Sequence, residues 1–309
     1  IVLTTPILRC IKAQHPEWAV HYLTKKNFAS LIESNPNVDK VFAMDGEIDQ
    51  LIPALTNENY DHIVDLHNNL RTLRLKQKLK RPATAFPKLN YQKFLFTTFK
   101  INRMPDIHIV DRYFQAVTPL GIQNDQKGLD FFIPEQDKVQ LADIGLPAKY
   151  IAFAIGAQFA TKRLPEAQII ALIKKIDTTV VLLGGPGDSE AAERITNATS
   201  NTISLCGKLN LNQSASVVAQ ASKVISHDTG LMHIASAFKK PIVSIWGNTS
   251  PHLGMYPYMP GLTEQYSIHE VDGLKCRPCS KIGYQKCPKK HFKCMNNQDL
   301  DAIVDRLGQ

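Results

Sequence analysis

Short runs of apolar residues recur along the chain, and residues typical of turns bound each run. Amphipathic stretches with helical spacing lie between them, for example residues 165–176 and 188–197. Because strands that alternate with helices build parallel sheets from βαβ units, this pattern predicts an α/β fold. The runs are apolar on both faces, as buried parallel strands are. They are AVHYLT (19–24), HIVDLH (62–67), YIAFAIG (150–156), TVVLLGG (179–185), KVISHD (223–228) and PIVSIWG (241–247).

A connecting segment divides these elements into two blocks. It covers residues 133–149 and contains two prolines and a glycine, with a short helical piece between them. We predict two doubly wound, Rossmann-like domains that face each other across a cleft. The first covers residues 1–140 and the second covers residues 141–309.

The first block opens without the strand that its topology requires. Residues 1–16 read mostly as a helix, with Pro6 suited to the first turn and an apolar stripe after it. In a parallel sheet, a helix at this point crosses over from an earlier strand. Either Ile1 to Leu3 form the tail of that strand, or the first strand of the domain is missing from this chain. We favour the second interpretation and expect an N-terminally truncated domain.

The composition is that of a soluble globular protein, with 44% hydrophobic and 21% charged residues in a chain of 309. Six cysteines are few for this length, which favours a reducing compartment over a disulfide scaffold. A net charge of +8 points to an anionic partner, either nucleic acid, a phosphorylated metabolite or an anionic membrane surface. No apolar run approaches the roughly 18 residues of a membrane span.

The positive charge is concentrated between Leu66 and Pro105, where the chain has no Asp or Glu. Aromatic residues are interspersed there, and the combination suits a surface that meets phosphorylated amphiphiles or nucleic acid. A solvated basic helix and loop is the simpler interpretation. The basic residues are Arg71, Arg74, Lys76, Lys78, Lys80, Arg81, Lys88, Lys93, Lys100 and Arg103, and the aromatic ones are Phe86, Tyr91, Phe94, Phe96 and Phe99.

The stretch VISHDTGLMHIASAF (224–238) predicts a strand that leads directly into a helix. Asp228 is suited to the N-cap, and Gly230 lets a ligand approach the backbone closely. Thr229 and His233 lie one turn apart and can point to the same spot. Free N–H groups and the positive dipole end make a helix start an anion site, so a phosphate or pyrophosphate would fit. A capped helix with a satisfied histidine is the alternative.

Two further segments reach the same edge of the predicted sheet, because each follows a parallel strand. IWGNTSP (245–251) ends one strand. GAQFATKRLP (156–165) ends another and carries Thr161, Lys162 and Arg163. Together these loops predict a site for a nucleotide diphosphate.

A third loop, GGPGDSE (184–190), follows the strand at 179–185 and offers two carboxylates. They belong to Asp188 and Glu190. Since a carboxylate can hold the two hydroxyls of a ribose, this loop suits the nucleoside part of the same ligand.

The block SHDTGLMHIASAFKKPIVSIWGNTSP (226–251) resembles the signature of the ADP-heptose:lipopolysaccharide heptosyltransferases, glycosyltransferase family nine. Other segments match that family in order along essentially the whole chain. They are IVLTTPILRCIKAQHP, NPNVDKVFAMD, VDLHNNLRT, TKRLP and VVLLGGPGD, followed by CRPCSKIGYQKCPKKHFKCM, which resembles the family's cysteine-containing C-terminal segment.

The resemblance implies a GT-B fold with the nucleotide-sugar donor on the second domain and the acceptor on the first. It implies an inverting transfer of heptose from ADP-heptose to the lipopolysaccharide inner core, without a metal or other cofactor. By position, Asp228, Thr229, Gly230 and His233 would hold the donor pyrophosphate. Lys162 would neutralise phosphate or contact the sugar, and its neighbour Thr161 would also contact the donor. Glu190 or Asp188 would bind the ribose.

Arg71 and Arg74 would bind the anionic, lipid-linked saccharide acceptor, and the basic stretch would contact an anionic membrane surface. The resemblance thus implies a cytoplasmic protein, peripheral at the inner face of the bacterial inner membrane. The family's proposed catalytic base is an Asp in a loop that we expect upstream of Ile1, so no residue of this chain is assigned as the base.

Four other functions remain open from the sequence. The chain could use another nucleotide-sugar within the family, or bind a donor without catalysis. A nucleotide-sugar epimerase on the same fold is less well supported, because fewer carboxylates and histidines surround the expected sugar site. A nucleic-acid-binding protein is suggested by charge alone, and the chain has no recognisable binding module, so we expect no nucleic-acid partner.

Cys276, Cys279, Cys287 and Cys294 have the number and the initial C-x-x-C of a zinc site. The second pair is spaced C-x6-C, which is wider than in the usual zinc knuckle. Reduced packing cysteines or a local disulfide are the alternatives, and we favour the absence of a metal.

Overall fold

Ten β-strands, all paired in parallel, form three sheets within residues 1–308, the part of the chain that this computed structural model describes. The six predicted strands are all present. The strands are β1 (His21–Lys25), β2 (Lys40–Met44), β3 (Ile63–Asp65), β4 (Ala83–Ala85), β5 (Ile151–Ala154), β6 (Val180–Leu183), β7 (Thr202–Ser204), β8 (Lys223–His227), β9 (Ile242–Trp246) and β10 (Tyr266–Glu270).

Eleven α-helices lie between and after these strands in the same residues. They are α1 (Thr5–Gln14), α2 (Ile52–Asn57), α3 (Leu70–Leu79), α4 (Asn90–Phe94), α5 (Ile109–Phe114), α6 (Glu166–Ile173), α7 (Ser189–Asn197), α8 (Leu211–Gln220), α9 (Gly230–Ala237), α10 (Lys293–Asn296) and α11 (Leu300–Leu307). None of the helices within residues 1–308 combines the length and apolar character of a membrane span.

The chain divides into two compact units. The first comprises residues 1–89 and 107–132, and the second comprises residues 90–106 and the chain from 133 onwards. The prediction placed one boundary near residue 140. The structure differs in assigning the segment 90–106 to the second unit, so the basic and aromatic stretch is divided between the two.

The second unit is built on a six-stranded parallel sheet in the order β10-β9-β8-β5-β6-β7. Every residue of β5 and β6 is buried, which explains why both strands are apolar on both faces. Phe153, Leu182 and Ile225 are fully buried in the core, where each side chain contributes about 1.5–3 kcal/mol. Helices α6 and α11 pack their apolar residues into the same core.

The first unit contains two separate two-stranded parallel sheets, β1-β2 and β3-β4. No strand among residues 1–308 pairs with members of both sheets. The N-terminal helix forms as predicted, with Pro6 in its first turn. The α/β class with parallel sheets is confirmed in both units.

Candidate functional site

The strand order of the large sheet reverses direction between β5 and β8. From β5 the chain continues outward through β6 and β7, and on the other side β8 is followed by β9 and β10. The loops after two such strands diverge and leave a crevice at their carboxyl ends, where open α/β sheets bind ligands. Two of the predicted loops, those after β5 and β8, flank this point.

Lys162 and Asp228 meet at this crevice. The Lys162 Nζ lies 2.6 Å from Oδ2 of Asp228 and also donates a 3.2 Å hydrogen bond to the Asp228 carbonyl. The hydroxyl of Thr249, from the loop after β9, donates to the same Oδ2 at 3.0 Å. The side chains of the pair are only 16% and 10% exposed. The three loops after β5, β8 and β9 therefore converge on one carboxylate.

The helix after β8 begins differently from the prediction. Asp228 is not its N-cap, because the carboxylate is drawn to Lys162 and Thr249 instead. Thr229 is the N-cap, but its hydroxyl lies 3.2 Å from the Ser226 hydroxyl, and no side-chain cap is present in the described chain. The first amides of α9 are thus left for another acceptor, as a helix N-terminus that binds an anion requires.

Gly230, the first residue of α9, leaves room for that acceptor. It is exposed, and a Cβ built on it would lie more than 4 Å from every neighbouring heavy atom in residues 1–308. A bound phosphate can therefore approach the amides without a steric barrier.

Two buried histidines support the crevice in neutral form. Burial lowers the pKa of His233 to about 3, and the nearby charge of Lys162 acts in the same direction. Its Nδ1 has no hydrogen-bond partner within residues 1–308. Burial also lowers the pKa of His227 to about 3, with a further contribution from Arg163. The Nε2 of His227 accepts a 3.0 Å hydrogen bond from the Leu164 amide, which fixes the loop that carries Lys162.

Thr161 anchors this loop and does not face the crevice with a free hydroxyl. Its Oγ1 donates to the Tyr284 carbonyl at 2.9 Å and accepts from the Tyr284 amide at 2.8 Å. The side chain is buried. The expectation that Thr161 contacts the donor therefore differs from the geometry, which gives it a positioning role for its neighbour Lys162.

The two carboxylates of the third loop have different surroundings. Asp188 is buried, pairs with Arg163 at 2.8 Å and accepts from the Gly185 amide at 2.9 Å. Glu190 lies in the first turn of α7, is exposed and forms no ion pair with another described residue. Glu190 is thus the carboxylate that remains accessible to a ribose.

The loop after β9 is held by a residue that the sequence analysis did not select. Arg277 donates to the carbonyls of Gly247 and Thr249 and pairs with Glu270 at 2.8 Å. The Cys279 amide donates a 2.8 Å hydrogen bond to the carbonyl of Asn248, which lies between Gly247 and Thr249. Thr249 lies in the predicted loop IWGNTSP, but the sequence analysis assigned it no role in the site. A hydroxyl residue directly after a predicted strand is the signal that could have identified it.

The residues proposed for the acceptor lie on α3 in the first unit. Arg74 pairs with Asp49, whereas Arg71 is exposed and forms no ion pair within residues 1–308. Lys76, behind them, is engaged with Asp65 at 2.8 Å. Part of the predicted basic surface is therefore neutralised by the first unit itself.

The aromatic residues of that stretch divide by burial. Phe86 and Phe96 are in the core, whereas Tyr91, Phe94 and Phe99 are exposed on the segment 90–106. The rings of Phe94 and Phe99 contact edge to face, with centroids 5.7 Å apart.

The four C-terminal cysteines are free thiols. Burial raises the pKa of Cys279 to about 11 and that of Cys294 to about 12, so both are protonated at neutral pH. The Sγ of Cys276 lies 3.8 Å from Nε2 of His291, and the Cys279 thiol donates to the Cys276 carbonyl at 3.0 Å. Residues 1–308 contain no group of three or more side chains arranged to hold a metal ion, so the geometry gives the zinc interpretation no support.

Comparisons with known proteins show the family of the chain. The family description glycosyltransferase family 9 (heptosyltransferase) matches residues 48–289, more than half of the chain. The lipopolysaccharide heptosyltransferase 1 of Pseudomonas aeruginosa is 25% identical over 312 residues, which cover 91% of this chain and 83% of the relative. The lipooligosaccharide heptosyltransferase 2 of Haemophilus influenzae is 33% identical over 145 residues, 43% of this chain and 40% of that relative.

The fold is shared with a solved structure, the E. coli heptosyltransferase WaaC with ADP-2-deoxy-2-fluoro heptose. Its TM-score is 0.66 at 18% identity, and the match covers 99% of this chain and 95% of that one. The family match, the full-length relative and the common fold agree with the sequence signature at residues 226–251. The chain belongs to glycosyltransferase family 9, the heptosyltransferases.

Proposed function

We propose that this chain transfers heptose from ADP-heptose to the inner core of lipopolysaccharide, with inversion at the anomeric carbon. The observation that carries the proposal is the convergence of Lys162 with the uncapped amides of α9 at the carboxyl ends of β5 and β8. Family membership supplies the reaction class, and the named activities of the relatives supply the sugar and the acceptor.

The donor diphosphate lies against the start of α9 in this proposal. The amides of Gly230 and Leu231 donate to phosphate oxygens, and the Lys162 ammonium, which Asp228 holds, contacts the diphosphate from the loop after β5. Neutral His233 lies one turn further along α9, with Nδ1 unpartnered in the described chain. Glu190 accepts from the ribose hydroxyls.

The chemical step moves negative charge onto the departing diphosphate. The bond between the anomeric carbon and the β-phosphate oxygen breaks through an oxocarbenium-like state. The acceptor hydroxyl forms the new bond on the opposite face and gives up its proton to a base. Lys162, which is held by Asp228, and the uncapped α9 amides stabilise this charge. We therefore expect transfer to continue when EDTA removes divalent cations.

The proposal includes an anionic acceptor and a membrane surface. Of the two arginines assigned to the acceptor on α3, Arg71 is the one that forms no ion pair in the described chain. The exposed rings of Tyr91, Phe94 and Phe99, with three basic residues of the same segment, suit the interface of an anionic bilayer. The protein would then act at the cytoplasmic face of the inner membrane. Sedimentation with phosphatidylglycerol vesicles should fall when Phe94 and Phe99 are both replaced by Ser, and unchanged sedimentation would contradict this contact.

The donor site is tested by isothermal titration calorimetry with ADP, UDP and GDP. We expect ADP to bind most tightly and Lys162→Met to weaken ADP binding by about tenfold or more, as loss of a hydrogen bond to a charged group does. Lys174→Met is the matched control, because Lys174 is an exposed lysine at the end of α6. Equal affinity for the three nucleotides, or no effect of Lys162→Met, would contradict the proposal.

A transfer assay with ADP-heptose and a lipopolysaccharide acceptor separates the enzyme from a donor-binding homologue. Heptose transfer that depends on Lys162 supports the proposal. Tight ADP binding without transfer would leave the binding site in place and overturn the enzymatic function of this chain, in which no residue is assigned as the base, in favour of a donor-binding homologue.

A further inference from the structure

Asn248 has a buried side chain whose polar atoms lack partners. The residue is 2% exposed, and neither Oδ1 nor Nδ2 has a hydrogen-bond partner within residues 1–308. Buried amide groups in folded proteins almost always form hydrogen bonds, because desolvation without a partner is unfavourable. An amide with both atoms unpartnered therefore indicates a partner beyond the described residues, either a ligand group or a buried water.

The backbone of Asn248 lies beside the residues that hold the donor site. Its amide donates to the carbonyl of Thr161, the residue before Lys162, at 3.4 Å. The residue after it, Thr249, donates to the Asp228 carboxylate. Asn248 is thus linked to the pair formed by Lys162 and Asp228 in two ways. Its amide contacts the residue before Lys162, and the residue after it contacts Asp228.

This position is fixed on both sides. Arg277 binds the carbonyls of Gly247 and Thr249, and the Cys279 amide binds the Asn248 carbonyl at 2.8 Å. A Cβ on Gly247 would come within 2.7 Å of Met295 and of the Thr161 carbonyl, so the loop is also closely packed. The segment that carries the amide is therefore held in place.

The chemistry of the amide selects the ligand. Nδ2 needs an acceptor and Oδ1 needs a donor. A phosphate oxygen offers only an acceptor, whereas a sugar hydroxyl offers both. We propose that Asn248 hydrogen-bonds the hydroxyls of the donor's glycosyl group and so contributes to recognition of the sugar. This inference rests on the proposed function, since it assigns a residue to the sugar of the same donor.

The test compares ADP with ADP-heptose by calorimetry in the full chain without acceptor. For Asn248→Leu, which keeps the number and branching of the heavy atoms but removes both polar atoms, we expect ADP affinity within twofold of wild type and ADP-heptose affinity about tenfold weaker. Asn248→Asp keeps the shape and the acceptor oxygen but loses the donor, and we expect it to weaken ADP-heptose selectively as well. Retained ADP binding shows that each variant is folded.

The outcomes separate this inference from the proposed function. If the wild type binds no ADP, the proposed function fails. If the wild type binds ADP and ADP-heptose but both variants leave the ratio of the two affinities unchanged, the donor site stands and the role of Asn248 is overturned. A change in melting temperature alone, with the ratio of the ADP and ADP-heptose affinities unchanged, would likewise overturn the role of Asn248. The amide would then hydrogen-bond a buried water.

Discussion

The hydroxyl of Thr249 donates a 3.0 Å hydrogen bond to Oδ2 of Asp228, the same oxygen that lies 2.6 Å from the Lys162 ammonium. This bond joins the loop after β9 to the loop after β8. It orients the carboxylate toward Lys162 and away from the amides of α9. The anion site at the helix start is open because its nearest carboxylate is engaged elsewhere.

Replacement of Thr249 by Val removes this hydrogen bond and keeps the shape of the side chain. We expect ADP affinity to fall about three- to tenfold, because one donor to a charged carboxylate is lost. Thr196→Val is a suitable control, since that hydroxyl donates to the Ala192 carbonyl on α7. ADP affinity is measured by calorimetry on both variants. Equal ADP affinity of Thr249→Val and Thr196→Val would argue against a role for the Thr249 hydroxyl.

Gly230→Ala tests whether the space at the start of α9 is used by the ligand. A methyl group there meets no described atom within 4 Å, and Ala favours helix formation, so the free energy of unfolding should stay the same or rise by a few tenths of a kcal/mol. ADP affinity should nevertheless fall by about tenfold, because the methyl group occupies space that a phosphate needs. A stable variant with wild-type ADP affinity would place the diphosphate elsewhere.

Asp188 and Glu190 should respond differently to neutralisation. Asp188→Asn weakens the pairing of this buried carboxylate with the partly exposed Arg163, and we expect it to lower the free energy of unfolding by about 1–3 kcal/mol. Glu190→Gln should leave stability nearly unchanged and weaken ADP binding several-fold. Urea unfolding and ADP titration on both variants make the comparison. The reverse pattern would assign the ribose contact to Asp188.

The buried histidines predict a loss of stability in acid. The pKa of His227 and of His233 is about 3 in the folded chain, against 6.5 without burial, so the unfolded chain binds more protons between these values. Stability is therefore complete above pH 6.5 and falls as the pH is lowered toward 3, by about 1.4 kcal/mol per pH unit for each histidine.

In His233→Gln this loss should be smaller than in wild type by about 2 kcal/mol between pH 7 and pH 5. Urea unfolding at the two pH values measures it, and carboxylate contributions cancel in the comparison. An identical loss in both proteins would mean that His233 titrates near its ordinary pKa in the folded state.

Much of the fold could be predicted because its strongest signals are local. The strands β5, β6, β8 and β9 are buried on both faces and read as continuous apolar runs. Four strands have no prediction. One of them, β2, is mostly apolar but mixes exposed and buried residues. Strands β4 and β7 have three residues each, and β10 is a half-exposed edge strand without a fully apolar run.

The site was predictable to the level of loops, because parallel strands deliver their following residues to one edge. The contacts between individual side chains within the site were not predictable. Spacing alone does not distinguish an N-cap from an ion pair, so the turn of Asp228 toward Lys162 could not be read from the sequence. Nor could the burial of Thr161 against Tyr284, since 123 residues separate them along the chain.

The most direct measurement is a crystal structure of the chain with ADP bound. We expect β-phosphate oxygens within about 2.7–3.2 Å of the amide nitrogen of Gly230 or Leu231, with the Lys162 ammonium also in contact. Clear diphosphate density that touches neither the α9 amides nor Lys162 would contradict the assignment of this helix start as the donor site.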